Sequence, residues 1–254
     1  MNDTPDGSEE LRLNRYLAQC GLGARRKCDE FIASGHVYVN GQKVVFLGTK
    51  VTASDVVEYR GRTVKPLRKL EYWAFNKPQG VLVSRTDPDG RKTVYDALID
   101  AGISGAHLNY VGRLDYASEG LLLLTNDGAL IHALTHPRFK IKKSYHVEIN
   151  RLLIDEDRVK MLTGIESEEQ TLTAGAVKRT GGTVKGFWYE IDLYEGKNRQ
   201  LRRMFESMTY QVLRLRRIQF ASVKLDDLAE GAVRPLTEKE VAALLRTGFK
   251  DTHR

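Results

Sequence analysis

The segment Val111-Gly112-Arg113-Leu114-Asp115 runs into Ser118-Glu119-Gly120-Leu121-Leu122-Leu123-Leu124-Thr125-Asn126-Asp127-Gly128. It sets one carboxylate between a glycine-flanked arginine and an apolar run closed by an Asn-Asp-Gly turn. A side chain anchored at the edge of a buried strand is held rigidly, and a rigid carboxylate beside a cleft can act as nucleophile or general base. Asp115 is therefore the first catalytic candidate; the structural alternative is an Asp that merely caps a turn or helix. Arg113 lies two residues earlier, so in an extended segment both side chains point to the same side. The chain has neither the Gly-x-x-x-x-Gly-Lys-Ser/Thr phosphate loop nor the Gly-x-Gly-x-x-Gly fingerprint of nucleotide sites.

Metal chemistry finds little support. Cys20 and Cys28 are the only cysteines; eight residues apart, on the inner faces of two successive helices, they read as buried reduced thiols, and neither a disulfide nor a zinc site is expected. His132 and His136 are four apart on a predicted helix but lack the acidic residue and third ligand that a metalloenzyme needs. A hydrolase using Asp115 with Asp127 or Asp87 and a metal stays open as a rival, whereas the His-x-Glu and Pro-Cys-x-x-Cys boxes of a deaminase are missing.

The elements that must position Asp115 follow from periodicity. Residues 1 to 10 read as a polar tail. Leu13, Tyr16, Leu17 and Cys20 recur at helical spacing, and Ala24, Cys28, Phe31 and Ile32 mark a second helix that Gly35 stops. Val37 and Val39 then alternate into Asn40-Gly41, a two-residue hairpin signal, with short strands at Val44, Val51, Val56 and Val57. Gly61 to Lys69 reads as a basic linker, which places the boundaries at 11–60 for a small domain, 61–70 for the linker and 71–249 for a larger domain. In the latter, Leu121 to Leu124 is an apolar run suited to a central strand buried on both faces. Strands are predicted at Tyr72 to Phe75, around Tyr145, Val147 and Ile149, and at 172–178, 186–193 and 211–220; helices are predicted at 158–162 and 238–245. The fold class is α+β with a mixed, mainly antiparallel sheet.

The charge is +7 overall, but from Arg12 to Lys69 twelve Lys/Arg face four Asp/Glu, a local +8, while the first eleven residues carry −4. Basic charge gathered in one small unit points to a polyanion partner. Arg25, Arg26 and Lys27 open the second helix, where backbone amides add to the field that phosphates seek. No apolar run approaches the roughly 18 to 20 residues of a membrane span, and the acidic first residues are the opposite of a secretory leader. A cytoplasmic protein without membrane contact is expected.

Four boxes in order, Asn76-Lys77-Pro78-Gln79-Gly80, Gly112-Arg113-Leu114-Asp115, Lys143-Ser144-Tyr145 and Glu195-Gly196-Lys197-Asn198-Arg199-Gln200-Leu201-Arg202-Arg203-Met204, resemble the signature of the RsuA/RluB branch of pseudouridine synthases. Arg12-Leu13-Asn14-Arg15-Tyr16-Leu17 with Gly35-His36-Val37-Tyr38-Val39-Asn40-Gly41 resembles the small RNA-binding domain named after the fourth small-subunit ribosomal protein. The resemblance implies an isomerase that breaks the bond from sugar to uracil nitrogen, turns the base and rejoins it through carbon. No atoms enter or leave, so no cofactor is implied.

The resemblance implies roles residue by residue. Asp115 becomes the nucleophile or base, with the choice left open. Arg202, two after Gln200, becomes the cation that pairs with Asp115; otherwise it is a surface partner of Glu206. Tyr145 stacks on the target base, and Leu201 floors the uracil pocket; otherwise Tyr145 is a core aromatic with a satisfied hydroxyl and Leu201 ordinary core on a stripe with Met204, Phe205 and Met208. From its spacing, Arg113 either fills the space of an everted nucleotide or is a structural arginine binding a nearby carbonyl; Lys77, Lys197, Arg199 and Arg203 read as phosphate contacts or as a general positive field, with Lys142 and Lys143 also in reach of phosphate. The implied partner is ribosomal RNA or a ribosome assembly intermediate, met by a monomer. Position 199 carries Arg where some branches carry His, and the loop Asp87-Pro88-Asp89-Gly90-Arg91-Lys92-Thr93-Val94 leans toward the RluB-like subgroup and large-subunit RNA. A non-catalytic ribosome-assembly protein remains the main alternative.

Overall fold

The computed structural model describes residues 10–66, 69–167 and 170–248, so residues 1–9 of the predicted tail at 1–10, residues 67 and 68 of the predicted linker and position 249 of the predicted larger domain lie outside the described residues. The chain divides into two units, residues 1–70 and 71–254.

In the first unit the helices Leu13–Gln19 and Arg25–Ala33 pack over a four-stranded sheet ordered Gln42–Val44, Val37–Val39, Val57–Tyr59, Arg62–Thr63. Its core is the periodic set read from sequence: Leu13, Leu17, Cys28, Ile32, Val37 and Val57 are fully buried. Asn40 (φ 51°) and Gly41 (φ 77°) form the turn between the first two strands, the left-handed pair that lets a two-residue hairpin follow strand twist. The predicted linker begins too early. Arg60 (φ 49°) and Gly61 (φ 73°) make a second such turn, Arg62–Thr63 pairs with Glu58 and Tyr59, and the Val64 amide donates to the Val57 carbonyl, so residues 61–64 belong to the sheet. Cys20 and Cys28 are free thiols, and burial pushes them up to about 12 and about 11. Thiols held this far from thiolate are packing groups.

The second unit is built on a nine-stranded sheet ordered Ala176–Thr183, Gly186–Leu193, Lys143–Ile149, Val212–Phe220, Glu119–Thr125, Tyr72–Lys77, Val233–Pro235, with Asn109–Val111 and Val223–Lys224 paired at its side. Every pairing is antiparallel except Val212–Phe220 with Glu119–Thr125. Glu119–Thr125 is buried at all seven positions. Leu121 and Leu123 pack on one face with Leu130, Leu134 and Leu244 of the helices Gly128–Thr135 and Glu238–Gly248. Leu122 and Leu124 pack on the other face with Val94 and Leu98 of the helix Val94–Asp100. That two-sided burial is why the run is apolar without alternation.

The two halves of the sheet meet where Arg217 lies beside Gly120. Gly120 has φ +103°, and a Cβ there would sit 2.3 Å from the Arg217 carbonyl oxygen and 2.8 Å from its nitrogen. Both obstacles are backbone, so neither can swing aside. Gly120→Ala is expected to cost about 2 to 4 kcal/mol through combined strain and overlap, which lowers the thermal midpoint by about 5 to 15 °C in a unit of this size. A melting curve within a degree or two of the wild type would show that the seam tolerates separation.

Candidate active site

Across the seam opens a cleft of about 680 Å³, within the roughly 300 to 1,000 Å³ usual for small-molecule sites. Asp115 reaches it from the loop between Asn109–Val111 and Glu119–Thr125. Gly112 (φ +69°) turns the chain at the loop's start, and the Ser118 amide donates to the Asp115 carbonyl at 3.0 Å, closing the turn before the strand. Asp115 is half-buried, and its carboxylate accepts no hydrogen bond from the described residues. Arg113, exposed, lines the same cleft.

Tyr145 lies in Lys143–Ile149 and packs against both flanking apolar clusters while its ring borders the cleft. Leu201, 3% exposed, comes from the first turn of the helix Gln200–Ser207, which buries Leu201, Met204 and Phe205 on one stripe. The loop ahead of that helix is fastened by Gln200. Its Nε2 donates to Glu195 Oε1 at 2.6 Å and to the Thr173 carbonyl at 3.0 Å, while its Oε1 accepts from the Lys197 amide. Arg199 takes the left-handed conformation (φ 46°) at the junction. Three segments distant in sequence thus bring Asp115, Tyr145 and Leu201 to one cleft.

Several expected partners are placed differently. Arg202 does not form an ion pair with Asp115: its Nη2 donates to the Ala117 carbonyl at 2.9 Å, and its Nε is buried without a partner. The acceptor is two residues past Asp115, so the guanidinium stays in the carboxylate's field. Burial first, then the neighbouring Arg199, draws Arg202 below the usual arginine range, with Asp115 and Glu206 opposing. Glu206 is held instead by Arg199 at 3.2 Å.

Lys77 is not a phosphate contact. It is fully buried, donates to the Pro78 and Val81 carbonyls at 2.8 Å each, and is pushed down to about 8 by burial against the opposing pull of Asp115 and Glu119. Lys197 lines the cleft but is tied to Glu195 at 3.0 Å and to the Thr171 carbonyl. Arg203 is bound by Ser167 and is not among the lining residues. Lys142 pairs with Asp192 at 2.7 Å.

Nor do the carboxylates of a metal-dependent hydrolase gather. Asp127 caps its helix by accepting from the Ala129 and Leu130 amides, Asp87 is clasped by Arg91, and neither lines the cleft with Asp115. His136 is the residue after the helix rather than part of it, and its Nδ1 accepts from the Arg138 amide.

Sequence reasoning passed over Arg217. It is 1% exposed, lines the cleft, and is the cross-strand partner of Tyr145, so the two side chains share one face of the sheet. Lys143, two residues before Tyr145, joins that face; burial first, then Arg217, lowers it to about 8, while Glu195 opposes. A lysine depressed in the fold costs stability wherever it must be charged. The cost is full below about 8 and disappears between there and the ordinary value near 10.5, because over that interval the unfolded chain holds the proton and the folded one does not. Relative to Lys143→Gln, the wild type is therefore expected to gain stability as pH rises from 8 to 10.5. Denaturant titrations at several pH values check this, and parallel pH curves for the two proteins would remove the buried-lysine assignment.

A mixed sheet whose central cleft joins a carboxylate, a tyrosine and a leucine from separate segments, in a chain with a small basic helix-and-hairpin unit, defines a narrow class of RNA-acting protein. Residues 71–207 match the family model described as RNA pseudouridylate synthase, and residues 11–57 match that of the S4 domain. The chain belongs to the RNA pseudouridylate synthase family. It is 37% identical over 235 residues to "Ribosomal large subunit pseudouridine synthase B" of Bacillus subtilis, covering 92% of this chain and 95% of that one. It is likewise 37% identical to the protein of that name from Xylella fastidiosa over 95% of this chain, although it spans only 52% of that longer relative. Among solved structures, "Crystal structure of pseudouridylate synthase" superposes with a TM-score of 0.63 at 27% identity, over 92% of this chain and 99% of the other.

Proposed function

We propose that this protein isomerises a uridine of ribosomal RNA, large-subunit RNA in preference to small-subunit RNA, to pseudouridine. The observation that carries the reading is the convergence of Asp115, Tyr145 and Leu201 on one cleft, from boxes lying at about 112–115, 143–145 and 195–204 of the chain. In this reading a target uridine leaves its stack and enters the cleft, with Tyr145 against the face of the base and Leu201 beneath it. Arg113, exposed at the rim, occupies the space the nucleotide leaves and offsets part of the few kcal/mol that unstacking costs.

Asp115 either attacks the sugar C1′ or removes a sugar proton. In both routes the C1′–N1 bond breaks with its electron pair going to uracil and the base turns; C5 then bonds to C1′ as the Asp115–C1′ ester bond breaks or, in the other route, as the abstracted proton returns to the sugar, and the C5 proton is lost while N1 gains one. Arg202, close to the loop of Asp115, supplies positive field rather than a direct ion pair. The amino-terminal unit docks on folded RNA through the exposed Arg25, Arg26 and Lys27, reading shape and phosphate position. The protein works as a monomer in the cytoplasm, on ribosomal RNA or an assembly intermediate.

The test is to incubate unmodified ribosomal RNA with the protein and map pseudouridines at nucleotide resolution. A single new site in large-subunit RNA is the expected result. Stoichiometric RNA binding without any conversion would leave only the non-catalytic RNA-binding role.

A further inference from the structure

A buried arginine is expensive unless its donors are used. Arg217 is 1% exposed, yet only its Nε is accounted for, donating to the Leu121 carbonyl at 2.7 Å; Nη2 is buried with no acceptor. An orphaned guanidinium nitrogen costs about 1 to 3 kcal/mol or more, and such a group in a native site signals a partner still to come. The surroundings offer none. Glu119 is taken by Arg214 at 2.7 Å, the Phe220 ring lies 5.1 Å from the guanidinium carbon, and the neighbouring lysines Lys143 and Lys77 are cations themselves.

The position of the unpaired Nη2 narrows what can accept from it. Arg217 and Tyr145 face each other across paired strands and border the same cleft. Gly120, on the strand along the other side, packs directly against the Arg217 backbone and brings no acceptor side chain to the guanidinium. A ring laid on Tyr145 would lie beside Arg217 on the same face of the sheet. A phosphate is a poor candidate, because a tetrahedral group tied to the RNA backbone belongs at the mouth of the cleft while the guanidinium lies almost wholly beneath the surface. A planar carbonyl oxygen fits the depth.

We infer that Arg217 binds a carbonyl oxygen of the target uracil and holds the base after it has been detached from its sugar. The inference rests on the uridine-isomerase reading above. Its chemical logic is charge: when the C1′–N1 bond breaks, the electron pair leaves with uracil, and the resulting anion spreads its charge over N1, O2 and O4. A fixed cation with an open donor, in a site screened from water, stabilises that charge more than it stabilises neutral uridine, which is the condition for accelerating cleavage rather than tightening binding. The same hydrogen bond keeps the freed base in the cleft while it turns to offer C5. Neither effect depends on which of its two routes Asp115 follows. Lys143, which lines the same cleft and whose Nζ donates to the Ile141 carbonyl at 3.0 Å, adds positive charge beside Arg217.

The test uses the full chain and a ribosomal RNA fragment carrying the mapped target as uridine, 2-thiouridine or 4-thiouridine, sulfur being a weak hydrogen-bond acceptor. Wild type is expected to convert one of the two thio substrates about 10- to 100-fold more slowly in single turnover, the worth of a hydrogen bond to a charged group. Arg217→Gln is expected to slow conversion of the normal substrate by a similar factor at unchanged RNA affinity, and then to show no further loss on the sensitive thio substrate. Arg217→Lys should recover part of the rate, because the cation is kept. Wild type indifferent to both sulfur substitutions overturns the inference without reliance on any variant folding, and so does a thio penalty that persists undiminished in Arg217→Gln. If wild type fails to convert normal uridine at all, it is the isomerase reading that falls.

Discussion

Asp115→Asn is expected to lower isomerisation by about four orders of magnitude or more while RNA affinity stays near that of the wild type. Carboxamide matches carboxylate in shape, so packing in the cleft is preserved, but it neither attacks a sugar carbon nor accepts a sugar proton. Either role open to Asp115 is lost together. The structural cost is small because the side chain is half-buried and accepts no hydrogen bond from the described residues. Its removal is felt most by the buried Lys77, for which Asp115 is the first of two opposing charges; that lysine should fall below about 8. Single-turnover conversion and filter binding on the same RNA check both halves. Wild-type turnover in the variant would end the carboxylate mechanism, and a loss of binding equal to the loss of rate would make Asp115 a docking residue.

What was legible in the sequence follows how locally each feature is encoded. Asp115 and Leu201 sit in contiguous boxes, and the four-leucine run names the central strand beside Asp115, so that part of the site reads directly. The loop read from sequence ends at Val94, and no helix is predicted at Val94–Asp100. The helix there is short and opens with a β-branched residue, and its capping box closes on Asp96 rather than Glu, with the Thr93 hydroxyl and amide both bonded to that carboxylate. Lys77 looked like a phosphate ligand because nothing in Lys-Pro-Gln-Gly reveals that the Pro78 and Val81 carbonyls curl back onto its ammonium. Arg217 was hidden more deeply: within Arg214-Leu215-Arg216-Arg217 it reads as one of several surface cations. Only the pairing of Val212–Phe220 with both Lys143–Ile149 and Glu119–Thr125 places it next to Tyr145 and under the sheet surface. Pairing register between segments about 70 to 100 residues apart is a tertiary property that no local pattern carries. The Arg202–Asp115 pair, implied by the family resemblance, gives way to a carbonyl contact for a similar reason, since a long side chain chooses among acceptors that only the folded loop brings near.

The same distinction between paired and open charge decides the second large effect, on RNA binding. Arg25, Arg26 and Lys27 open the helix Arg25–Ala33, whose preceding residue Ala24 supplies no side-chain cap, so its first amides face outward together with the three cations. The cations are not equivalent. Lys27 Nζ lies 2.6 Å from Glu30 and 5.5 Å from the centre of the Phe31 ring, whereas no ion pair engages Arg25 or Arg26 among the described residues. A cation already matched to a carboxylate releases fewer counterions when a phosphate arrives. Arg25→Ala with Arg26→Ala is therefore expected to weaken binding to a ribosomal RNA fragment about 10- to 100-fold at moderate salt, and to make the slope of log affinity against log salt shallower by about 1.5 to 2. Lys27→Ala should change the slope by well under one. The double variant should also convert saturating RNA at the wild-type rate, because the chemistry resides in the other unit. Affinity measured across a salt series discriminates cleanly: if the double variant keeps the wild-type slope, the positive field of this helix is not what meets the phosphates.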